Sequence, residues 1–515
     1  MHGRLESHGC RRHPIWAVAA PLLLWLLLVP SAAAADRDRD GLSNRKEIRL
    51  RLKPNRWDSD RDRLSDGDEV RRCRTNPRRR DTDRDRLSDG HEVLRSLTDP
   101  RHAGLRIFPC RTVPRRLPRG ALFVDRDSVG GRCDDRRTRG KVSRSRPWCS
   151  LERALAAAGG GRTVLVRRGS YPSLEVRGQR RKYLTLRPFR AERVRLGGVE
   201  SRDSSYLETG RYTGDAGYLR LEGFRISGPV ELLFGSRQIQ LIANDITSYL
   251  HLRLTRDVRI ERNLLHDTPP GIRVIGADGY ASNPARRGIF GLTIRGNRIE
   301  RASNDAIAVY GGAYGLRIER NEIAHVLRPA GSDLHVDAIQ TQGGRDITIR
   351  GNFIHHALQG ILLLDALPLE RLLIENNVVV RTEGWGVLLK DAPGARIVNN
   401  TVWDTGAGLG IGDTPQIAPP DTSATLRNNI VDWLQPEDLG YLAAQDHNLI
   451  KRGPSGYLDR SRWPRFRNPG RLDYRLAKGS PGIDTGTDVD APLRDAVGAR
   501  RVRGTDLGAL ERVTP

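Results

Sequence analysis

Apolar residues recur through the middle of the chain in a fixed frame, [Ile/Leu]-x-x-Asn-x-[Ile/Val/Leu], with the Asn at positions 244, 263, 297, 321, 352, 377, 400 and 429. Four of the steps between them are 19, 24, 25 and 23 residues, which suits one turn of a coil made of three short strands. Gly223 is read as holding the same place in "LEGFRI". Asn tolerates left-handed backbone, so each is expected at a bend, its amide bonding the turn above or below. That role is structural, and no chemistry is assigned to the series.

The longer steps of 34, 31 and 29 residues carry insertions at 276–288, 327–334 and 412–423, all bordering the same strand of the coil. Insertions along one edge make walls, and walls make a cleft. Counting back from each Asn aligns the bordered strands. Gly271, Ala306, Ala338, Gly360, Gly386 and Gly408 share a column, as a tight corner requires. Ile272, Ile307, Ile339, Ile361, Val387 and Leu409 form the inward stack beside it. The outward columns hold His251, Arg273 and Gln340, then Arg253, Tyr310, Gln342 and Lys390. Asp305 and Asp337 precede the corner in adjacent turns, Trp385 shares their column two turns later, and His335 ends the second wall. Parallel strands lie ~4.8 Å apart, so stacked carboxylates repel unless they share a proton or cation or are parted by their rotamers. Strict alternation would instead turn Asp337 inward with Ile339, as a capping residue.

Ahead of the coil, Ser150 is an N-cap, "LERALAAA" a short helix, Gly159–Gly161 its stop, and "TVLV" the strand that follows. This order, with the Asn-marked coils, resembles the secreted right-handed parallel β-helix proteins of the pectate-lyase-like superfamily over residues 120–435. "H-x-D-A-I-Q" at 335–340 is also similar to a pattern in uncharacterised secreted members. The resemblance implies an all-β solenoid with a capping helix, and a repertoire of lyases, inverting hydrolases and epimerases acting on polysaccharides. It does not choose among them.

Between the N-terminus and the coil lie three acidic loops, "DRDRDGLSNRKE", "DSDRDRLSDGDE" and "DTDRDRLSDGHE", spaced by 22 and 23 residues. Each places Asp at positions 1, 3 and 5 and Glu at position 12, a spacing that converges oxygen ligands on one hard cation. The expected ligands are Asp36, Asp38, Asp40 and Glu47, then Asp58, Asp60, Asp62, Asp66 and Glu69, then Asp81, Asp83, Asp85, Asp89 and Glu92. Residues 36–100 resemble thrombospondin type 3 calcium repeats, including the "TNP" and "TDP" after the second and third loops. That implies Ca2+ as the cofactor, in the simplest case stiffening a stalk. Arg63 and Arg86 replace the Gly found at position 6 as Gly41, so those turns are expected to be made differently or to bind more weakly.

Residues 1–35 combine Arg4, Arg11 and Arg12 with "IWAVAAPLLLWLLLV" and "PSAAAAD", the layout of a secretory signal cut after Ala35. Such a cut would make Asp36 the N-terminus and compromise the first loop. No second apolar run of spanning length follows, so an exported or cell-surface monomer without a membrane span is expected. Four of the five Cys lie beyond the signal, an even number in a disulfide-permissive compartment, and Cys133–Cys149 brackets one loop. The net charge of +25 suits a polyanion, and export points to acidic polysaccharide over nucleic acid. Residues 101–119 read as a linker, and 436–515, with "SPGID" and "DLGALE", as a cap over the last coil.

Two functions follow. One is β-elimination on a polyuronate, with Arg273, or calcium held by Asp305 and Asp337, neutralising the sugar carboxylate, and His335, Tyr310 or Lys390 as base. A hydrolase would use the two Asp as acid and base. The other is a non-catalytic wall or matrix protein that grips glycan with the same basic face.

Overall fold

The computed structural model describes residues 35–107, 110, 112, 116–177, 180–190, 192–202, 217–267, 271–276, 288–364, 368–413, 422–453, 463–502 and 504–512. The expected signal segment and most of the insertions at 276–288 and 412–423 lie outside them.

From Leu122–Val124 to Leu449–Arg452 the chain winds through three parallel sheets. Among the described residues sheet one has 13 strands, sheet two 10 and sheet three 12. One turn runs Arg237–Ile242 in sheet one, Asp245–Ile246 in sheet three and Leu250–Arg253 in sheet two, and the next begins at Arg259–Glu261 in sheet one. Alternation sends every second residue inward, so the three sheets enclose one continuous apolar core from Leu122 to Ile450. The inward stack stands as the spacing predicts: Ile272, Ile307, Ile339, Ile361, Val387 and Leu409 pair in unbroken register. Each is buried, a gain of roughly 1.5–3 kcal/mol per side chain. The helix Leu151–Ala157, with Ser150 Oγ accepting the N–H of Arg153, covers the open start of that core.

The Asn series forms a ladder between sheets one and three. Asn321 donates its Nδ2 to the Ile294 carbonyl and to Asn352 Oδ1, while its own Oδ1 accepts from the backbone and side chain of Asn297. Asn448 continues the series below Asn429. Two details differ from expectation. The left-handed residue is the one before each ladder Asn, as at Ala243, Arg262, Arg320 and Asn376, which leaves the Asn free to turn its amide along the stack. Gly223 belongs to that preceding position (φ +80), and Phe224 holds the ladder place, its N–H donating to Asn244.

The acidic segment does not project as a stalk. It lies along sheet three, where Ile107 N–H donates to Glu322 at 2.5 Å, Arg320 donates to the Arg95 carbonyl at 2.9 Å, and Leu105 packs with Phe353 and Val378. The C-terminal tail likewise runs back beside the coil instead of closing its end. Asn376, Asn399 and Asn428, each preceding a ladder Asn, donate to the carbonyls of Arg494, Asp506 and Thr487. Among the described residues two disulfides are present, Cys73–Cys110 and Cys133–Cys149.

Candidate functional site

Sheet two carries the stacked columns on its outer face. His251 pairs with Arg273, Arg273 with Ala308, and Ala308 with Gln340, while Arg253, Ile275 and Tyr310 align two residues on. Leu362 and Leu388 then make the face apolar. Within this frame Arg273, Asp305, Tyr310, His335, Asp337 and Gln340 come together. Asp305 Oδ1 accepts the N–H of Asp337 at 2.8 Å, and its Oδ2 accepts the Tyr310 hydroxyl at 2.9 Å. Tyr310 also lies 3.0 Å from Gln340 Oε1, with the Arg273 guanidinium 5.8 Å from the centre of its ring. His335 Nδ1 stands 3.2 Å from Asp337 Oδ1.

Accessibility divides these groups. Asp337 is fully buried and Asp305 is 5% exposed, whereas the His335 side chain is 56% exposed. Asp337, Ala338 and Ile339 are all buried where this strand begins. Burial pushes the Asp305 carboxyl above its usual range, against the pull of the Asp337 N–H and the Tyr310 hydroxyl. Burial and Asp305 push the Tyr310 phenol up, which favours its protonated, hydrogen-bond-donating form. Burial and Arg273 lower the His251 imidazole.

Other expected residues stand farther off. Arg253 sits over Phe234, 4.9 Å from the ring centre. Gln342 joins the sheet through its backbone N–H, which donates to the Val309 carbonyl. Trp385 and Lys390 lie two turns below Asp337 and Gln342, with Gln359 between Asp337 and Trp385 in their column. Gln359 Oε1 accepts the Trp385 N–H at 2.5 Å, a positioning role readable from the column itself.

The acidic loops make three further clusters. Asp36, Asp38 and Asp40 converge, as do Asp58, Asp60 and Asp62, and Asp81, Asp83 and Asp85, with ligand atoms in each set within 4.8 Å of one another. The position-12 glutamates turn toward them. Thr75 fixes Glu69 Oε1 at 3.0 Å and Thr98 fixes Glu92 Oε1 at 3.0 Å, leaving Oε2 of each buried without a hydrogen-bond partner. Both Glu47 oxygens are in that state. Burial, then Asp60 and Asp62, push Glu69 up to about 10, and burial with Asp85 and Asp83 does the same to Glu92. Orphaned, mutually repelling buried oxygens in this geometry fit a hard divalent cation.

Two features of the loops depart from expectation. Arg63 (φ +85) and Arg86 (φ +83) adopt the backbone of Gly41 (φ +94), so the position-6 turn is made the same way with a strained residue. Its N–H then donates to the position-1 carboxylate in all three loops. Asp66 and Asp89 give both oxygens to the backbone and hydroxyl of Ser59 and Thr82, closing the loop instead of facing the cluster. Gly67 and Gly90 carry a signal the spacing argument missed. Each donates its N–H to the position-5 Asp of the preceding loop, where a Cβ would meet a carbonyl oxygen at 2.2 or 2.1 Å.

Residues 235–433 match the family described as "Right handed beta helix region". The fold is a right-handed parallel β-helix. No curated protein matches the chain. Solved structures that resemble it include a rhamnogalacturonan lyase at 10% identity, covering 70% of this chain and 96% of that one, TM-score 0.39. Another is XylC in complex with xylose at 9% identity, covering 76% and 98%, TM-score 0.45. A third is a PL6 family polysaccharide lyase from Pseudopedobacter saltans at 15% identity, covering 65% and 96%, TM-score 0.37. Likenesses at this level carry no argument about the chemistry of this chain. Among the described residues no helix is long and apolar enough to cross a membrane.

Proposed function

We propose that this right-handed β-helix is an exported protein that binds an acidic polysaccharide across sheet two and cleaves it by β-elimination. The observation that carries the reading is the exposed His335 imidazole set against the fully buried Asp337 carboxylate, beside Arg273. With that acid 3.2 Å from Nδ1, Nε2 is the ring nitrogen left to act as the base. Arg273 would neutralise the uronate carboxylate and acidify the neighbouring C5 proton. His335 then takes that proton, its C–H electrons form the C4=C5 double bond, the C4–O bond breaks, and the departing oxygen takes a proton from water. Tyr310, tied to Asp305 and Gln340, presents its hydroxyl on this face as a donor. His251, Arg253, Gln342, Trp385 and Lys390 extend the surface along the coil.

Calcium is the proposed ion of the acidic loops, held by the three aspartate triads with Glu47, Glu69 and Glu92. Bound there, it would cancel the repulsion among their carboxylates and rigidify the segment against sheet three.

A second reading, binding without cleavage, is favoured by one observation. Both carboxylates are nearly inaccessible, and Asp305 is tied to backbone. Incubation with a panel of polyuronates decides between them. Unsaturated sugar ends that are lost in His335→Ala support elimination, and tight binding without product supports the second reading.

A further inference from the structure

Sheet one presents two outward columns that use their charges differently. In one, Glu261, Arg295, Glu319, Arg350 and Glu375 stand in register, and Arg350 reaches Glu319 at 2.7 Å and Glu375 at 3.0 Å. In the other, Arg259, Thr293, Arg317 and Thr348 occupy successive turns. Both of these arginines are exposed, and among the described residues no carboxylate pairs with either. The acids at the neighbouring corner are engaged elsewhere, Asp257 by Gln238 at 3.0 Å and Asp346 by Arg371 at 2.5 Å. This second column lies in a groove of about 910 Å3. Gly291 (φ +66) and Gly315 (φ +70) turn its corner in left-handed backbone and add no side chain to it.

The two guanidinium groups are two turns apart, roughly 9.6 Å at ~4.8 Å per turn. Duplex nucleic acid carries one charge per ~1.7 Å of axis, far denser than this array. A linear glycan with an acid group on alternate rings presents its charges at about the wider interval, with ring hydroxyls between them to meet Thr293 and Thr348. We infer that this groove is a second polysaccharide site, distinct from the face of sheet two, that holds a linear acidic glycan along the coil axis through Arg259 and Arg317.

The test is calorimetric binding of hyaluronate, which bears one uronate per disaccharide, to the full chain carrying Asp337→Asn so that any cleavage is slowed by about 10²-fold. Adding Arg259→Ala with Arg317→Ala is expected to weaken binding by about tenfold. Arg132→Ala with Arg168→Ala, which removes the same charge from exposed positions elsewhere, is expected to change it less than twofold. Equal losses from the two pairs, no loss from the first, or tighter binding of duplex DNA than of hyaluronate would each overturn the assignment. None of these outcomes depends on whether sheet two cleaves.

Discussion

Asp305 and Asp337, brought together by the stacking of two turns, are joined through a side chain and a backbone, with Asp305 Oδ1 accepting the Asp337 N–H at 2.8 Å. That bond gives one Asp305 oxygen a backbone donor from the next turn. One acid holds the strand and the other meets His335. Asp305→Asn can keep the backbone bond and should lower kcat by about tenfold, through the altered Tyr310 contact. Asp337→Asn should lower it by about 10²-fold or more, the usual scale of an acid–base group. Steady-state kinetics on the polyuronate that gives product distinguish the two, and equal effects would refute this division of roles.

Thr75 reaches Glu69 and Thr98 reaches Glu92 with the same 3.0 Å bond. Groups that orient a metal ligand commonly account for 10–100-fold in affinity. Thr75→Val should therefore weaken calcium binding by about tenfold at one site, measured by calorimetric titration. A chelator should also lower the melting temperature of the wild type, because an ion that binds only the folded loops stabilises them.

Beside sheet three, Arg381, His356, His355 and Glu322 form a directed chain. Arginine can only donate, so His356 Nε2 accepts from Arg381 and His356 Nδ1 donates to His355 Nδ1 at 2.8 Å. His355 Nε2 then donates to Glu322, whose other oxygen holds Ile107 of the acidic segment. Burial, then His355, His325 and Arg381, lower His356 to about 4, with Asp404 opposing. A histidine depressed from 6.5 to about 4 contributes stability that is full above pH 6.5 and lost as pH falls toward 4. The protection factor of the Ile107 amide, its exchange rate corrected for the intrinsic pH dependence, should fall over that window in wild type and stay level in His356→Leu.

Asn321→Ala removes the acceptor of two Asn297 donors and a donor to the Ile294 carbonyl, all buried. Each orphaned group costs about 1–3 kcal/mol, so the variant should lose about 3 kcal/mol or more in urea unfolding. A loss below 1 kcal/mol would show that the ladder adds little to the coil.

The coil was legible in the sequence because apolar and Asn positions recur once per turn, and a register read from one turn fixes the next. Ile272 through Leu409 needed only counting. What the pattern could not show was which way a side chain turns at a corner. The left-handed bend falls on Arg320 rather than Asn321, and Asp337 is buried while His335 stays in solvent. The aspartate triads were visible as spacing, yet Asp66 and Asp89 serve Ser59 and Thr82 because a loop must also satisfy its own backbone. Contacts over 200 residues of separation, such as Ile107 with Glu322, leave no local pattern at all.

The central claim is that His335, held by Asp337, removes a proton from a uronate bound at Arg273. Its most direct measurement is the ultraviolet absorbance of newly formed double bonds when purified protein with calcium is mixed with polyuronates. The account predicts a steady rise with wild type and loss of about 10²-fold in rate for His335→Ala and for Asp337→Asn. A flat trace on every polyuronate, or full activity in either variant, would contradict it.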